Sequence, residues 1–409
     1  MFQLIFLITY LPKYFLPWRN NQNQSQKMKT LKVTILLLFV GISSFSQAKY
    51  KTISSQILGE NRELKILLPR GYSEDDDKAY PVIYVFDGDY LFEAVAGNVD
   101  YYAYWEDIPE SIVVGINQVE TRQDDLMYSE QNSLPIESGA DFFEFIGKEL
   151  IPFVEENYKT ETFRVAVGHG ETANFINYYL IRQNPVFNAY VAISPDLAVD
   201  MESYVEEKLN AVEEKIFYYL AVSTTDIKHI AEASISLNNT LKSLQNTNLL
   251  YTFKEFEGAT HYAMPAHAIP KALESIFFVF QPISKKEYNE SILKLEGSPV
   301  EYLQEKYATI KDLFGIDKQI LINDFKAVAA AIKKKQKWEY YEDLSKLAKK
   351  HYPDTVLPKY YLGLYQENIG ESKKAMKTFQ SAYILEEIGG ITKDFMLEKA
   401  EQIKADFGY

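Results

Sequence analysis

The residues best placed to do chemistry form one short run, Gly168-His169-Gly170-Glu171-Thr172. It stands between a continuous apolar stretch, Phe163-Arg164-Val165-Ala166-Val167, and a helical pattern through Phe175, Tyr178, Tyr179 and Leu180. Strand, sharp turn and helix in that order make the elbow on which acyl-transfer enzymes expose a nucleophile, with small residues two positions either side. The central residue should carry a hydroxyl or thiol. Here it is Gly170, which has no side chain, so covalent catalysis from that position is excluded. The rear small position is Thr172, whose β-branched side chain should relax the packing of helix on strand. Neither Glu171 nor Thr172 can stand in, because side chains one and two residues further along a helix point roughly 100° and 200° away.

Other chemistries have little to work with. There are no cysteines, which removes disulfides, thiolate nucleophiles and cysteine metal sites. The five histidines show no i, i+4 pairing and there is no glycine-rich phosphate loop, so no metal and no cofactor is implied. The acidic run Glu74 to Asp77 lacks the alternating ligands and glycine turn of a calcium loop and reads as a solvated turn. A formal charge of −14 argues against nucleic acid or anionic lipid as partner.

The elements that must hold these residues alternate in type. Ser55 to Leu68 suits an edge strand. Val82 to Phe86, Ser111 to Ile116, Phe163 to Val167, Ala189 to Ile193 and Lys215 to Val222 are near-continuous apolar runs, the pattern of strands buried on both faces. Between them lie helical patterns, clearest in Asp141 to Asn157, where Phe142, Phe145, Ile146, Leu150 and Val154 share one face. The expected fold class is therefore α/β, a mainly parallel sheet with helices on both sides. After Pro282 only helices follow, with a weak 34-residue repeat. Leu362, Gly363, Gly370, Ala375, Phe379 and Ala382 fall at tetratricopeptide positions, and Val328, Ala329, Ile332, Ala348 and Pro353 fit an earlier copy. Ile391 to Ala405 would cap the array.

The first residues read as an export signal. Lys29 and Lys32 precede the apolar run Thr34 to Ile42 and the small-residue site Ser46-Gln47-Ala48, which predicts cleavage and a periplasmic or secreted protein, with Met28 as the working start. The apolar run is too short for a comfortable bilayer span. Loss of residues 1–48 removes five Lys/Arg and no acids, taking the formal charge to −19. The expected divisions are 1–48 (upstream segment and signal), 49–282 (α/β domain) and 283–409 (helical, tetratricopeptide-like domain).

The turn Gly168 to Thr172 resembles the Gly-His-Ser-X-Gly elbow of the putative-esterase family of α/β-hydrolases, which includes feruloyl esterases, enterochelin esterases and S-formylglutathione hydrolases. Further stretches are similar in the right order: Tyr80-Pro81-Val82-Ile83-Tyr84-Val85-Phe86-Asp87-Gly88, Glu149-Leu150-Ile151-Pro152, Ile193-Ser194-Pro195 and Gly258-Ala259-Thr260-His261.

By position, the resemblance implies Asp226 as the acid and His261 as the general base, with His267 the alternative base, and Gly170 as a degenerate nucleophile position. It implies an oxyanion hole from the Glu171 N–H and one N–H of the turn Gly88-Asp89-Tyr90. Tyr90, Phe92, Tyr101, Tyr102, Tyr104 and Trp105 are expected as aromatic walls of the pocket. Two functions follow as expectations: a catalytically degenerate module that binds a small ester-like ligand, with a protein or peptide at the helical repeats, or an active ester hydrolase with a displaced nucleophile such as Ser194.

Overall fold

Eight strands form one sheet in the order β1-β2-β4-β3-β5-β6-β7-β8 in the computed structural model, which describes residues 48–408. The export segment expected at 28–48, and everything upstream of it, lies outside the described residues apart from Ala48. β1 (Lys49–Ser54) and β2 (Asn61–Leu67) pair antiparallel, and β2 meets β4 (Ile112–Ile116) antiparallel. The remaining strands are parallel: β3 (Tyr80–Val85), β5 (Thr160–His169), β6 (Ala189–Ile193), β7 (Ile216–Ser223) and β8 (Leu249–Phe256). β3, β4, β6 and β7 are buried along their whole length, the physical reason their sequences are uninterrupted apolar runs.

The sheet also contains two strands that the apolar runs do not announce. β1 is largely exposed and β8 has no fully buried residue, so each reads as a polar or mixed segment. The helical pattern from Asp141 to Asn157 is two α-helices, α3 (Glu137–Phe145) and α4 (Ile151–Asn157), joined by a π-helical turn at Ile146–Leu150. The turn follows α1 (Gly88–Tyr104) and α2 (Arg122–Asp125) along the chain.

Chain direction sets the place of the site. From β3 the chain runs to β4 on one side; from β5 it runs to β6 on the other. The carboxyl ends of β3 and β5 therefore flank a topological switch point, where the loops part and leave a crevice. Gly88 opens α1 directly after β3, and α5 (Glu171–Phe175) opens directly after β5; α6 (Asn177–Leu180), α7 (Met201–Ala211), α8 (Lys228–Leu241) and α9 (Met264–Ile276) complete the layers.

The main helices of the C-terminal region are α10 (Pro299–Phe314), α11 (Ile322–Lys335), α12 (Tyr340–His351), α13 (Leu357–Asn368), α14 (Ser372–Gln380) and α15 (Lys393–Phe407). This region does not hang free of the sheet. Phe314, fully buried, packs on Phe163 of β5 at 4.9 Å between ring centroids, on Phe277 at 5.2 Å and on Phe217 of β7 at 6.2 Å. One hydrophobic core runs from Val165 and Val191 in the sheet through Phe314 to Phe379 and Ile403.

Candidate active site

The four loops that follow β5, β6, β7 and β8 lie side by side along the carboxyl edge, and each delivers one residue. β5 ends at His169 and turns at Gly170, where φ is 62° and ψ −123° before α5 begins. An L-residue held in such a conformation costs on the order of 1–3 kcal/mol. The turn is clamped on both sides: Gly170 N–H donates to the Ile193 carbonyl at 3.1 Å, and the Gly170 carbonyl accepts from Asp196 N–H at 3.0 Å.

Thr172 does not loosen the elbow. It is fully buried; its Oγ1 accepts the His169 N–H at 3.0 Å and lies 2.8 Å from Asp87 Oδ2, to which it donates. A Cβ on Gly168 would fall 2.5 Å from the Thr172 carbonyl oxygen, so strand and helix approach as closely as a small-residue elbow requires. The expected relaxation is thus corrected: the side chain points sideways into the Asp87 network, and the close contact is made by backbone.

Asp226 follows β7 and His261 follows β8. These loops are tied together by Thr225 Oγ1 donating to the Ala259 carbonyl at 3.0 Å and by Gly258 N–H donating to Thr224 Oγ1 at 3.1 Å. His261 Nδ1 donates to Asp226 Oδ1 at 2.8 Å, and the Asp226 side chain has no exposed surface. Because Nδ1 carries the proton, Nε2 is left with its lone pair. It faces the elbow: a Cβ built on Gly170 would lie 3.6 Å from His261 Nε2. His267, by contrast, is exposed on α9 with its ring tilted against that of Phe256, so of the two histidines it is His261 that meets the acid.

Ser194, after β6, is fully buried at φ 46° and donates to Asp226 Oδ2 at 2.5 Å. Its hydroxyl, expected as a candidate displaced nucleophile, directs its proton to Asp226 Oδ2, while His261 Nδ1 holds Oδ1. Burial by itself pushes the Asp226 carboxyl up, but the hydrogen bonds from Ser194, His261 and the Ile227 N–H outweigh it and hold the group below the usual aspartate range.

A second layer sits under the dyad. The His169 ring lies 4.5 Å from the His261 ring, and His169 Nε2 is 3.1 Å from the His261 carbonyl, which can only accept. His169 therefore carries its proton on Nε2 and accepts at Nδ1 from the Tyr90 hydroxyl, 3.0 Å away. Burial, then the neighbouring His261, push its pKa down to about 4, so it stays neutral beside the dyad. Tyr90 also lies 3.2 Å from Asp87 Oδ2, and Arg122 Nε donates to Asp87 Oδ1 at 2.7 Å while its other end pairs with Glu171.

Asp87, buried at φ 52°, thus ties the turn after β3 to the elbow after β5. Its place in the Tyr80–Gly88 stretch was a signal for it; Arg122 and the role of His169 carried none, because their partners are distant in sequence.

The remaining expected residues divide. Glu171 heads α5, so its N–H has no helical partner, while its side chain is more than half exposed on Arg122. The Asp89 carboxylate accepts at Oδ2 from the Gln118 and Val119 N–H groups at 2.6 and 2.9 Å, and its carbonyl accepts from Lys65 Nζ at 3.2 Å. Of the aromatics expected to wall the cleft, only Tyr90 is there. Phe92 is in the core, Tyr102 donates to Glu274, and Tyr101, Tyr104 and Trp105 are exposed at the far end of α1, roughly 20 Å along the axis. The helix is continuous through the segment, which carries them away from the crevice. Near that end a cavity of about 930 Å³ opens between the amino ends of β3 and β4 and the segment 315–321, with Arg70, Lys318 and Tyr352 in its lining. It is remote from the dyad.

This arrangement can be set beside known proteins. The family model described as "Putative esterase" matches residues 55–197, which contain β2 to β6 and the elbow. A crystal structure of an uncharacterised protein from Capnocytophaga ochracea is similar at 31% identity and TM-score 0.79, over 88% of this chain and all of that one. The chain belongs to the putative-esterase family. An IroE-like serine hydrolase from Shewanella oneidensis shares the fold at 20% identity and TM-score 0.56, over 74% of this chain and 99% of that one. No curated protein matches the sequence. Within this esterase-family fold, the dyad of Asp226 and His261 is assembled and the elbow has its turn but no hydroxyl.

Proposed function

We propose that this chain is an exported esterase-family protein that takes a small acyl or ester ligand in the crevice between β3 and β5 and forms no acyl-enzyme there. The observation that carries this reading is Gly170: it occupies the elbow at φ 62°, 3.6 Å from His261 Nε2 at the Cβ position, where the attacking side chain would have to be. Ser194, the serine whose hydroxyl meets the Asp226 carboxylate, gives its proton to that acid. Removal of a nucleophile leaves what binding and oxyanion stabilisation supply. Treatment with a fluorophosphonate probe should leave the protein unlabelled, whereas Gly170→Ser should label; labelling of the wild-type chain would sink the proposal.

Export rests on the pattern from Lys29 to Ala48, and an N-terminus beginning just after Ala48 in protein secreted from a bacterial host is the expected result. The helical part, where the sequence suggests a 34-residue repeat, is assigned to a protein or peptide partner; a partner profile of the full chain left unaltered by charge reversal at the exposed Lys334 and Lys377 would count against that assignment.

A further inference from the structure

The dyad is more than a remnant of shape. Asp226 is a carboxylate with no exposed side-chain surface, an expensive group to bury unless its acceptors are filled. They are filled by His261, Ser194 and the Ile227 N–H, and the result is a single orientation of the His261 imidazole with Nδ1 protonated and Nε2 bare. His169 beneath it donates to the His261 carbonyl, and the two rings lie 4.5 Å apart, which fixes the base from below. The imidazole is therefore oriented, and a Cβ built on Gly170 in front of it would meet only the His261 ring within 4 Å, which marks a place for a small group.

Resting on the reading that no acyl-enzyme forms, we propose that this site transfers an acyl group directly from an ester to a small hydroxylic acceptor, water or the primary hydroxyl of an alcohol, seated beside Gly170. In the step, His261 Nε2 takes the acceptor's proton as its oxygen bonds to the ester carbonyl carbon. The carbonyl π pair moves to oxygen, and the backbone N–H of Glu171 is the nearby donor. The pair then returns, the bond to the original alkoxide breaks, and His261 Nε2–H protonates the departing oxygen. The balance is one ester and one hydroxyl compound in, one new ester (or acid) and one alcohol out, with no oxidant, metal or covalent protein adduct. Asp226 holds the imidazolium and Ser194 is a positioning residue for Asp226.

The test uses the full chain with phenyl acetate and phenyl butyrate as donors and methanol as acceptor, scoring methyl ester by gas chromatography. Methyl ester formation should rise with methanol concentration and fall about 100-fold or more in His261→Gln, the usual scale of a positioned general base. Gly170→Ala, which fills the space with a methyl group, should suppress methanolysis; since alanine is strained at that turn, its fold is checked by circular dichroism, and His261→Gln serves as the independent variant. Intact-mass measurement during turnover should show unmodified protein. Absence of both methyl ester and free carboxylic acid above background with both donors, a rate indifferent to His261→Gln, or an acyl adduct on His261 would each overturn the inference. Those failures are distinct from failure of the underlying reading, which would appear as fluorophosphonate labelling of the wild-type chain.

Discussion

The Cβ position on Gly170 is 3.6 Å from His261 Nε2, ordinary van der Waals contact, and the His261 ring is all that a Cβ there would meet within 4 Å. Serine at Gly170 should therefore complete the triad. The Gly170→Ser variant is expected to hydrolyse aryl esters with a burst and to label with a fluorophosphonate probe. It should also lose on the order of 1–3 kcal/mol of stability, because φ 62° strains any side chain. Urea unfolding alongside the activity assay checks both halves.

Acid should act on this protein through His169. Its folded pKa is depressed to about 4 from an unfolded value of about 6.5, so the unfolded chain binds more protons between those limits. The stability this contributes is fully present above about pH 6.5 and is lost as pH falls toward 4, on the order of 3 kcal/mol in all. Asp226, also depressed, adds a loss that begins only below its ordinary unfolded range near about 4. Unfolding midpoints from pH 7 to 4 should fall less steeply in His169→Asn than in the parent; parallel curves would count against it.

Thr172 offers a case where restoring a family residue should harm. Thr172→Gly returns the small elbow position but strips the hydroxyl that donates to the buried Asp87 carboxylate, a bond to a charged group worth about 1.5–3 kcal/mol. Chemical denaturation should show a loss of that size, with no gain of esterase activity.

Phe314 tests whether sheet and helices unfold together. It is fully buried against Phe163, Phe217 and Phe277, so Phe314→Ala should cost about 3–5 kcal/mol. Because its ring joins one core to both regions, a single transition shifted as a whole is expected in calorimetry; two separated transitions in the parent protein would contradict that.

Much of this was legible in the chain. Runs such as Val82–Phe86 and Ala189–Ile193 announce strands buried on both faces, since only apolar side chains can occupy both sides of a covered strand. β8 escaped because its residues are half-buried and mixed, and the aromatics at Tyr101 to Trp105 were misplaced because periodicity does not say how far a helix carries a residue from its start.

By itself, then, the sequence determined the mainly parallel α/β fold, the elbow and the missing side chain at Gly170, because a residue's type and a buried strand's apolar run are local properties of the chain. Only the tertiary structure decided that Asp226, His261 and Ser194 meet, that Thr172 locks on Asp87, and that Arg122 spans Asp87 and Glu171. Those contacts join residues tens of positions apart, and their distances are set by which strands lie next to one another, a matter of sheet order that no local pattern encodes.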